Sequence, residues 1–212
     1  MTESVRVRPI SPSVFTGLLV DIILARPGRI RVAVDGAEAL DPGRWGDALV
    51  EPLRERGRPV LRVEAADHLR PASLRFERGR TDPDSFYEDW LDDEGLRREV
   101  LDPIEPGGSG QIRPVRWDAT RDRARREGFV DLPDGGVVVL SGALLLGRGL
   151  PLDLTVHLTA SAAALRRLTD DARAWTLPAY QRYDDEVAPG DWADVVVRLE
   201  DPAHPALLRA PA

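Results

Sequence analysis

From Val34 to Trp45 the chain reads V-D-G-A-E-A-L-D-P-G-R-W. The apolar run Ile30 to Val34 is a short strand and the residues from Pro42 onward favour a helix, so the stretch joins a strand to a helix. In a phosphate-binding version of that loop the pattern is G-x-x-x-x-G-K-[ST]. The glycines let backbone N–H groups face the phosphates, the lysine reaches the β- and γ-phosphates, and the hydroxyl binds magnesium. Counted from Gly36, the last three positions hold Asp41, Pro42 and Gly43. All 29 basic residues of the chain are arginines, so no lysine exists to fill the slot. Arg44 stands two residues past it, where a helical turn of about 200° points a side chain elsewhere. Asp41-Pro42 is instead the signature of a helix start, with Asp as N-cap and Pro at the first helical position. That cap sets a fixed negative charge where a helix N-terminus would attract phosphate, and Pro42 removes one donor.

Outward from this loop, strands and helices alternate. Ser11-Pro12-Ser13 offers an N-cap for a first helix over 11–26, with Val14, Phe15, Leu18, Leu19, Ile22 and Ile23 at helical spacing. A helix from Pro42 to about Arg56, broken near Pro52, precedes a strand over Pro59 to Val63. Asp84 to Val100 reads as helix, and Val137 to Leu140 as an apolar strand after the Asp134-Gly135-Gly136 turn. Leu154 to Leu158 is another strand, Ser161 to Arg173 a helix and Ala193 to Leu199 a fifth strand. The pattern predicts an α/β fold with a five-stranded parallel sheet flanked by helices. One domain over 1–212 is expected, with its core over 29–202 and a short tail over 203–212. Pro103 to Arg113, with its Pro-Gly-Gly-Ser-Gly run, is the best candidate for a mobile loop.

The 212 residues are 42% hydrophobic, enough for a buried sheet, and their formal charge of −7 repels a nucleic-acid backbone. No polymeric nucleic acid is expected as a partner. The absence of cysteine excludes disulfides and thiolate zinc sites. No run of about 18 apolar residues is present and the N-terminus has no signal pattern, so a soluble cytoplasmic protein with no membrane partner is expected. His68, His157 and His204 are far apart without ligand-type spacing, and no metal site is assigned to them.

Longer segments carry a family resemblance. They are R-V-A-V-D-G (Arg31 to Gly36), R-P-V-L-R-V-E-A-A-D-H-L-R-P (Arg58 to Pro71), D-P-D-S-F-Y-E-D-W-L-D (Asp82 to Asp92), P-V-R-W-D-A-T-R-D-R (Pro114 to Arg123), V-V-V-L-S-G (Val137 to Gly142) and A-D-V-V-V-R-L-E-D-P (Ala193 to Pro202). In order and spacing the chain resembles a divergent member of the uridine kinase family of P-loop phosphotransferases, from about Ile30 to Pro202. The resemblance implies a three-layer P-loop NTPase-like fold. It also implies transfer of the γ-phosphoryl of ATP to a nucleoside 5′-hydroxyl, with magnesium and a carboxylate beside the attacking oxygen. Against that pattern, the ungapped match to Arg70-Pro71 places Ala66 where the catalytic Asp belongs, with Asp67 beside it as the candidate base. Ser141 replaces the acidic residue expected before Gly142. The positions of the altered nucleotide site are Asp35, Gly36, Asp41, Gly43 and Ser141. Arg70, Arg75, Phe86, Tyr87 and Trp117 are the substrate-side candidates.

Several of these residues have a plainer reading. Arg70, Arg75, Arg78 and Arg80 suit an anionic ligand, yet interleaved Glu77, Asp82 and Asp84 also make a solvated salt-bridge face. Phe86, Tyr87, Trp90, Trp117 and Trp175 either wall a nucleobase-sized pocket or, for Phe86 and Trp90 at helical spacing, belong to the core. Arg166, Arg167 and Arg173 lie where related kinases carry a phosphate-clamping lid, or form a helix surface. Arg182 to Glu186 is a solvated helix end or a cation site.

Two functions from different classes remain open. One is a non-catalytic uridine-kinase-like domain that binds a nucleoside, a nucleotide fragment or a protein partner in the substrate cleft and needs no cofactor. The other is an active nucleoside or small-molecule kinase that uses ATP and magnesium, with Arg44, Asp35 and Asp67 in rearranged roles. A homodimer formed through the N-terminal apolar helix is a third.

Overall fold

The computed structural model describes residues 7–211. Among them the strands, in chain order, are β1 (Arg8–Pro9), β2 (Ile30–Gly36), β3 (Val60–Glu64), β4 (Gln111–Ile112), β5 (Trp117–Asp118), β6 (Arg123–Ala124), β7 (Val130–Asp131), β8 (Val137–Gly142), β9 (Leu154–Thr159), β10 (Val195–Arg198) and β11 (Ala206–Arg209). The five anticipated strands pair in parallel in the order β3-β8-β2-β9-β10. Val32, Ala33 and Val34 of β2 and all four residues from Val137 to Leu140 of β8 are fully buried, as a sheet covered on both faces requires. After β2 the chain crosses to the edge strand β3 and returns to β8, and β9 then lies on the other side of β2. Such a reversal leaves a crevice at the carboxyl ends of the strands.

The sheet is wider than expected, because β11 pairs antiparallel with β10 and β1 with β11. Residues assigned to a tail over 203–212 therefore include a strand. Its A-L-L-R run is four residues long and buries Leu207 alone, too little for a period of two to register.

The first helix, α1 (Pro12–Leu24), begins where Ser11 Oγ accepts the Val14 N–H at 3.3 Å, and it buries Phe15, Leu19, Val20 and Ile23 in the core. The helix expected from Pro42 is two, α2 (Pro42–Asp47) and α3 (Val50–Glu55). The break falls at Ala48-Leu49, whereas Pro52 sits in the first turn of α3, where an N–H has no intrahelical acceptor to lose. Short helices α4 (Ala72–Arg75), α5 (Pro83–Glu88) and α6 (Asp93–Leu96) follow. The helix anticipated over 84–100 breaks because Leu91 bridges to Leu69 and Asp92 caps α6 through the Gly95 N–H at 2.9 Å. Capped by Ser161, α7 (Ala162–Leu168) stops short of Arg173. Beyond it, α8 (Leu177–Val187) and α9 (Pro189–Trp192) lead into β10. The charged run at the end of α8 masks in sequence its inward stripe of Ala179, Tyr180 and Tyr183. Among the described residues no helix is long and apolar enough to cross a membrane.

Candidate ligand cleft

Beyond β2 the loop tightens into a 3-10 turn over Glu38–Leu40. A Cβ on Gly36 would lie 2.8 Å from Leu158 Cβ, so the glycine at this position lets β9 approach. Asp41 is left-handed, with φ 53° and ψ 60°, and its Oδ1 accepts the Arg44 N–H at 3.0 Å. Three further donors of the loop are engaged. The Glu38 N–H donates to the Tyr180 hydroxyl at 3.2 Å, the Leu40 N–H to the Ala37 carbonyl at 2.8 Å and the Asp41 N–H to the Glu38 carbonyl at 3.0 Å. Pro42 has no N–H to offer.

Beneath α2 lies an arginine that the sequence did not single out. Arg62 of β3 donates from Nε to Asp47 at 2.8 Å, from Nη1 to the Val139 carbonyl at 2.6 Å and from Nη2 to Ser141 Oγ at 2.9 Å. Nη2 also pairs with Glu64, whose Oε2 accepts the Ser141 hydroxyl proton at 2.8 Å. A Cβ on Gly46 would lie 2.8 Å from the Arg62 guanidinium carbon. The signal available in the sequence is the alternation R-V-E within an apolar strand, which puts Arg62 and Glu64 on one face. Ser141 is thereby held between two charged side chains.

A cavity of about 260 Å³ opens at the carboxyl ends of β3 and β8 and against the loop after β2. Leu69, Phe86, Trp90, Leu91 and Leu144 form its apolar side, and Glu38, Asp41, Gly43, Glu64, Ser141 and Arg148 its polar side. The Phe86 ring meets Trp90 and Trp175 edge-on at 5.1 and 5.6 Å, and Phe86 and Trp90 are core and cavity wall at once. Arg148 is mostly buried, which lowers its pKa, and donates to the Leu144 carbonyl at 2.6 Å and to the Tyr87 carbonyl. Leu144 has a φ of 60°, rare for a bulky residue. The Leu145 N–H that follows is fixed by Asp35 Oδ1 at 2.8 Å.

The sequence candidates divide around this cavity. Asp41, Gly43, Ser141 and Phe86 line it. Asp35 is fully buried away from it, with Oδ2 against His157 Nδ1 at 2.8 Å and accepting the Tyr183 hydroxyl at 3.1 Å. That position explains the raised pKa of Tyr183, which follows from burial and from the Asp35 charge. Ala66 lines the cavity and Asp67 does not. Asp67 is half-buried, and burial and then the Glu64 charge push its carboxyl up. Arg44 is exposed and is not part of the lining. Arg70 faces Asp93 at 3.6 Å. Arg75, buried, donates to the Arg70 carbonyl at 2.7 Å and lies 5.3 Å from the Trp90 ring, while its own carbonyl accepts the Trp90 indole N–H at 3.1 Å. Tyr87 donates to Glu186 at 3.1 Å beneath Arg182. Trp117 donates to Asp122 at 3.3 Å in the β5–β6 hairpin. Arg173 reaches the cleft indirectly, donating to Glu38 at 2.9 Å, and Arg182 pairs with Asp84, Glu88 and Glu186.

A mostly parallel sheet in this order, with its strand-to-helix loop and cleft at the carboxyl ends, is the fold of uridine-kinase-like P-loop kinases. A possible uridine kinase from Bacillus stearothermophilus is similar at a TM-score of 0.69 and 21% identity, over 85% of this chain and 96% of that one. The YGR205w protein is similar at a TM-score of 0.64 and 10% identity, over 95% and 100% of the two chains. A protein described as a fructose transport system kinase, from Silicibacter sp. TM1040, is similar at a TM-score of 0.56 and 19% identity, over 80% and 94%. No protein-family model and no curated protein matches the chain.

Proposed function

We propose that this protein is a uridine-kinase-like domain that does not transfer phosphoryl groups and that keeps the cleft as a binding site for a small molecule of about nucleoside size. The observation that carries the reading is the loop after β2, where the Glu38, Leu40 and Asp41 N–H groups donate within the protein and the Asp41 carboxylate caps α2. A triphosphate placed there meets a negative charge with no lysine to neutralise it. ATP and magnesium do not fit the residues present. The Ser141 hydroxyl and Glu64 are held by Arg62, and the residue of the substrate loop that lines the cavity is Ala66. A cytoplasmic location, and a protein partner as the user of the bound state, belong to the same proposal.

The test is release of ADP from ATP and magnesium in the presence of uridine or cytidine, with a thermal-shift measurement on the same nucleosides. No nucleoside-dependent ADP above the protein-free blank is the expected result. Turnover that depends on the nucleoside and disappears in Asp67→Asn would establish the active-kinase alternative instead.

A further inference from the structure

A second cavity lies between α7 and α8, behind the loop after β2, and Leu144 is the one described residue that lines both it and the cleft. It has two chambers, which share Ala160, Leu165, Tyr180 and Asp184. The outer chamber, about 270 Å³, adds Leu177, Pro178, Arg166 and Gln181. The inner one, about 20 Å³, reaches Gly36, His157 and Thr159.

His157 stands beside Asp35 because β9 and β2 pair them across the sheet. Its side chain is only 6% exposed, with Nδ1 2.8 Å from Asp35 Oδ2. The carboxylate assigns the proton to Nδ1, so Nε2 of the neutral ring keeps a lone pair. Among the described residues Nε2 has no hydrogen-bond partner, and unlike His68 Nδ1 it is not shut into the core. The neighbouring hydroxyls are committed, since Tyr183 donates to Asp35 and Tyr180 accepts the Glu38 N–H. Asp184 adds a second acceptor to both chambers. A nearly buried acceptor without a donor is costly, so Nε2 calls for an O–H or N–H from whatever enters the cavity.

Chamber sizes set the shape of that ligand. The inner volume holds one polar heavy atom, since a water needs roughly 10–15 Å³, and the outer volume exceeds the about 150 Å³ that takes benzene. We propose that this cavity is a second ligand site, for a hydroxyarene. The aromatic body lies in the outer chamber against Leu165, Leu177 and Pro178, and the hydroxyl enters the inner chamber and donates to His157 Nε2. The site is independent of the cleft and of the function proposed for it.

NMR titration of the full chain at about pH 8, where an ordinary imidazole is neutral, with phenol and with toluene, its isostere without a donor, tests this. Phenol is expected to bind about fivefold or more tightly than toluene and to shift the Nε2 nitrogen resonance of His157, leaving those of His68 and His204, the other two histidines, in place. Ala162→Trp, at an exposed position on the outer chamber, is expected to weaken both compounds several-fold. His157→Phe, which keeps a ring without an acceptor, is expected to bring phenol down to the affinity of toluene. Equal binding of the two compounds to the parent chain, phenol binding that leaves the His157 resonance unmoved, or phenol binding indifferent to Ala162→Trp overturns the proposal. Failure of both to bind leaves the cavity to water and overturns it as well. If His157→Phe does not fold, the parent resonance and Ala162→Trp decide.

Discussion

Asp41 combines two opposing contributions in one residue. Its side chain caps α2, which contributes about 1 kcal/mol, and its left-handed backbone costs roughly 1–2 kcal/mol relative to an ordinary conformation. Glycine loses the cap but adopts the backbone freely, whereas alanine loses the cap and keeps the strain. Urea unfolding of Asp41→Gly should show stability close to that of the parent, and Asp41→Ala a loss of about 1 kcal/mol or more. Equal stabilities of the two variants would show that the left-handed conformation carries no cost. The cap was legible in sequence because Asp-Pro is a local signal. Arg62 and Glu64 were not, because their significance depends on α2 and β8 standing over them, and no spacing along the chain reports that.

His68 provides a residue-scale test of pH dependence. It is fully buried, and burial lowers its pKa from the ordinary value of 6.5, so the folded protein holds it neutral. The unfolded chain protonates it below about 6.5, so from this group stability is complete above that pH and is lost as pH falls toward the depressed folded value. Proton-detected NMR should show the His68 ring still neutral at pH 6.5, where a free imidazole is about half protonated. A ring half protonated at that pH would place His68 in water.

At the scale of elements, the approach of β9 to β2 is set at Gly36. Gly36→Ala places a methyl 2.8 Å from Leu158 Cβ, and overpacking of this kind costs about 1–3 kcal/mol. Denaturant unfolding should register that loss, and Leu158→Ala in the same chain should not return it, because alanine keeps the Cβ and the carbonyl that the new methyl meets. A neutral Gly36→Ala would mean that the strands separate without cost. The parallel strands were readable from sequence because each is a near-continuous apolar run. Helix boundaries were less so. The 84–100 segment keeps a helical pattern across its break, and only the capping by Asp92 and the bridge between Leu69 and Leu91 reveal where it divides. Most of α8 was hidden for the opposite reason, since its acidic end reads as surface while Tyr180 and Tyr183 reach inward to Glu38 and Asp35.

For the molecule as a whole, the seven-stranded sheet ends on one side with β11 and β1 closing over β10. Removing residues 203–212 strips β11 and leaves β10 as an unpaired edge of three buried valines. The truncated chain should melt at lower temperature and self-associate on size-exclusion chromatography. A monomeric truncation with unchanged melting would show that the last strand contributes nothing to the sheet. The order of the five parallel strands also fixes where the cleft opens, which is why its neighbourhood could be approached from the sequence, through Asp41, Ser141 and Phe86, before its lining was known. Its charge balance could not, since Glu38, Arg148 and Glu64 meet there from three separate segments.

Whether the loop after β2 still accepts a triphosphate is decided most directly by calorimetric titration of the protein with magnesium and ATP. No saturable heat up to millimolar nucleotide is predicted, because the Glu38, Leu40 and Asp41 N–H groups are internally paired and the Asp41 carboxylate occupies the start of α2. Saturable micromolar binding, with the 3-10 turn over Glu38–Leu40 opening to receive the phosphates, would contradict that and return the protein to the working kinases.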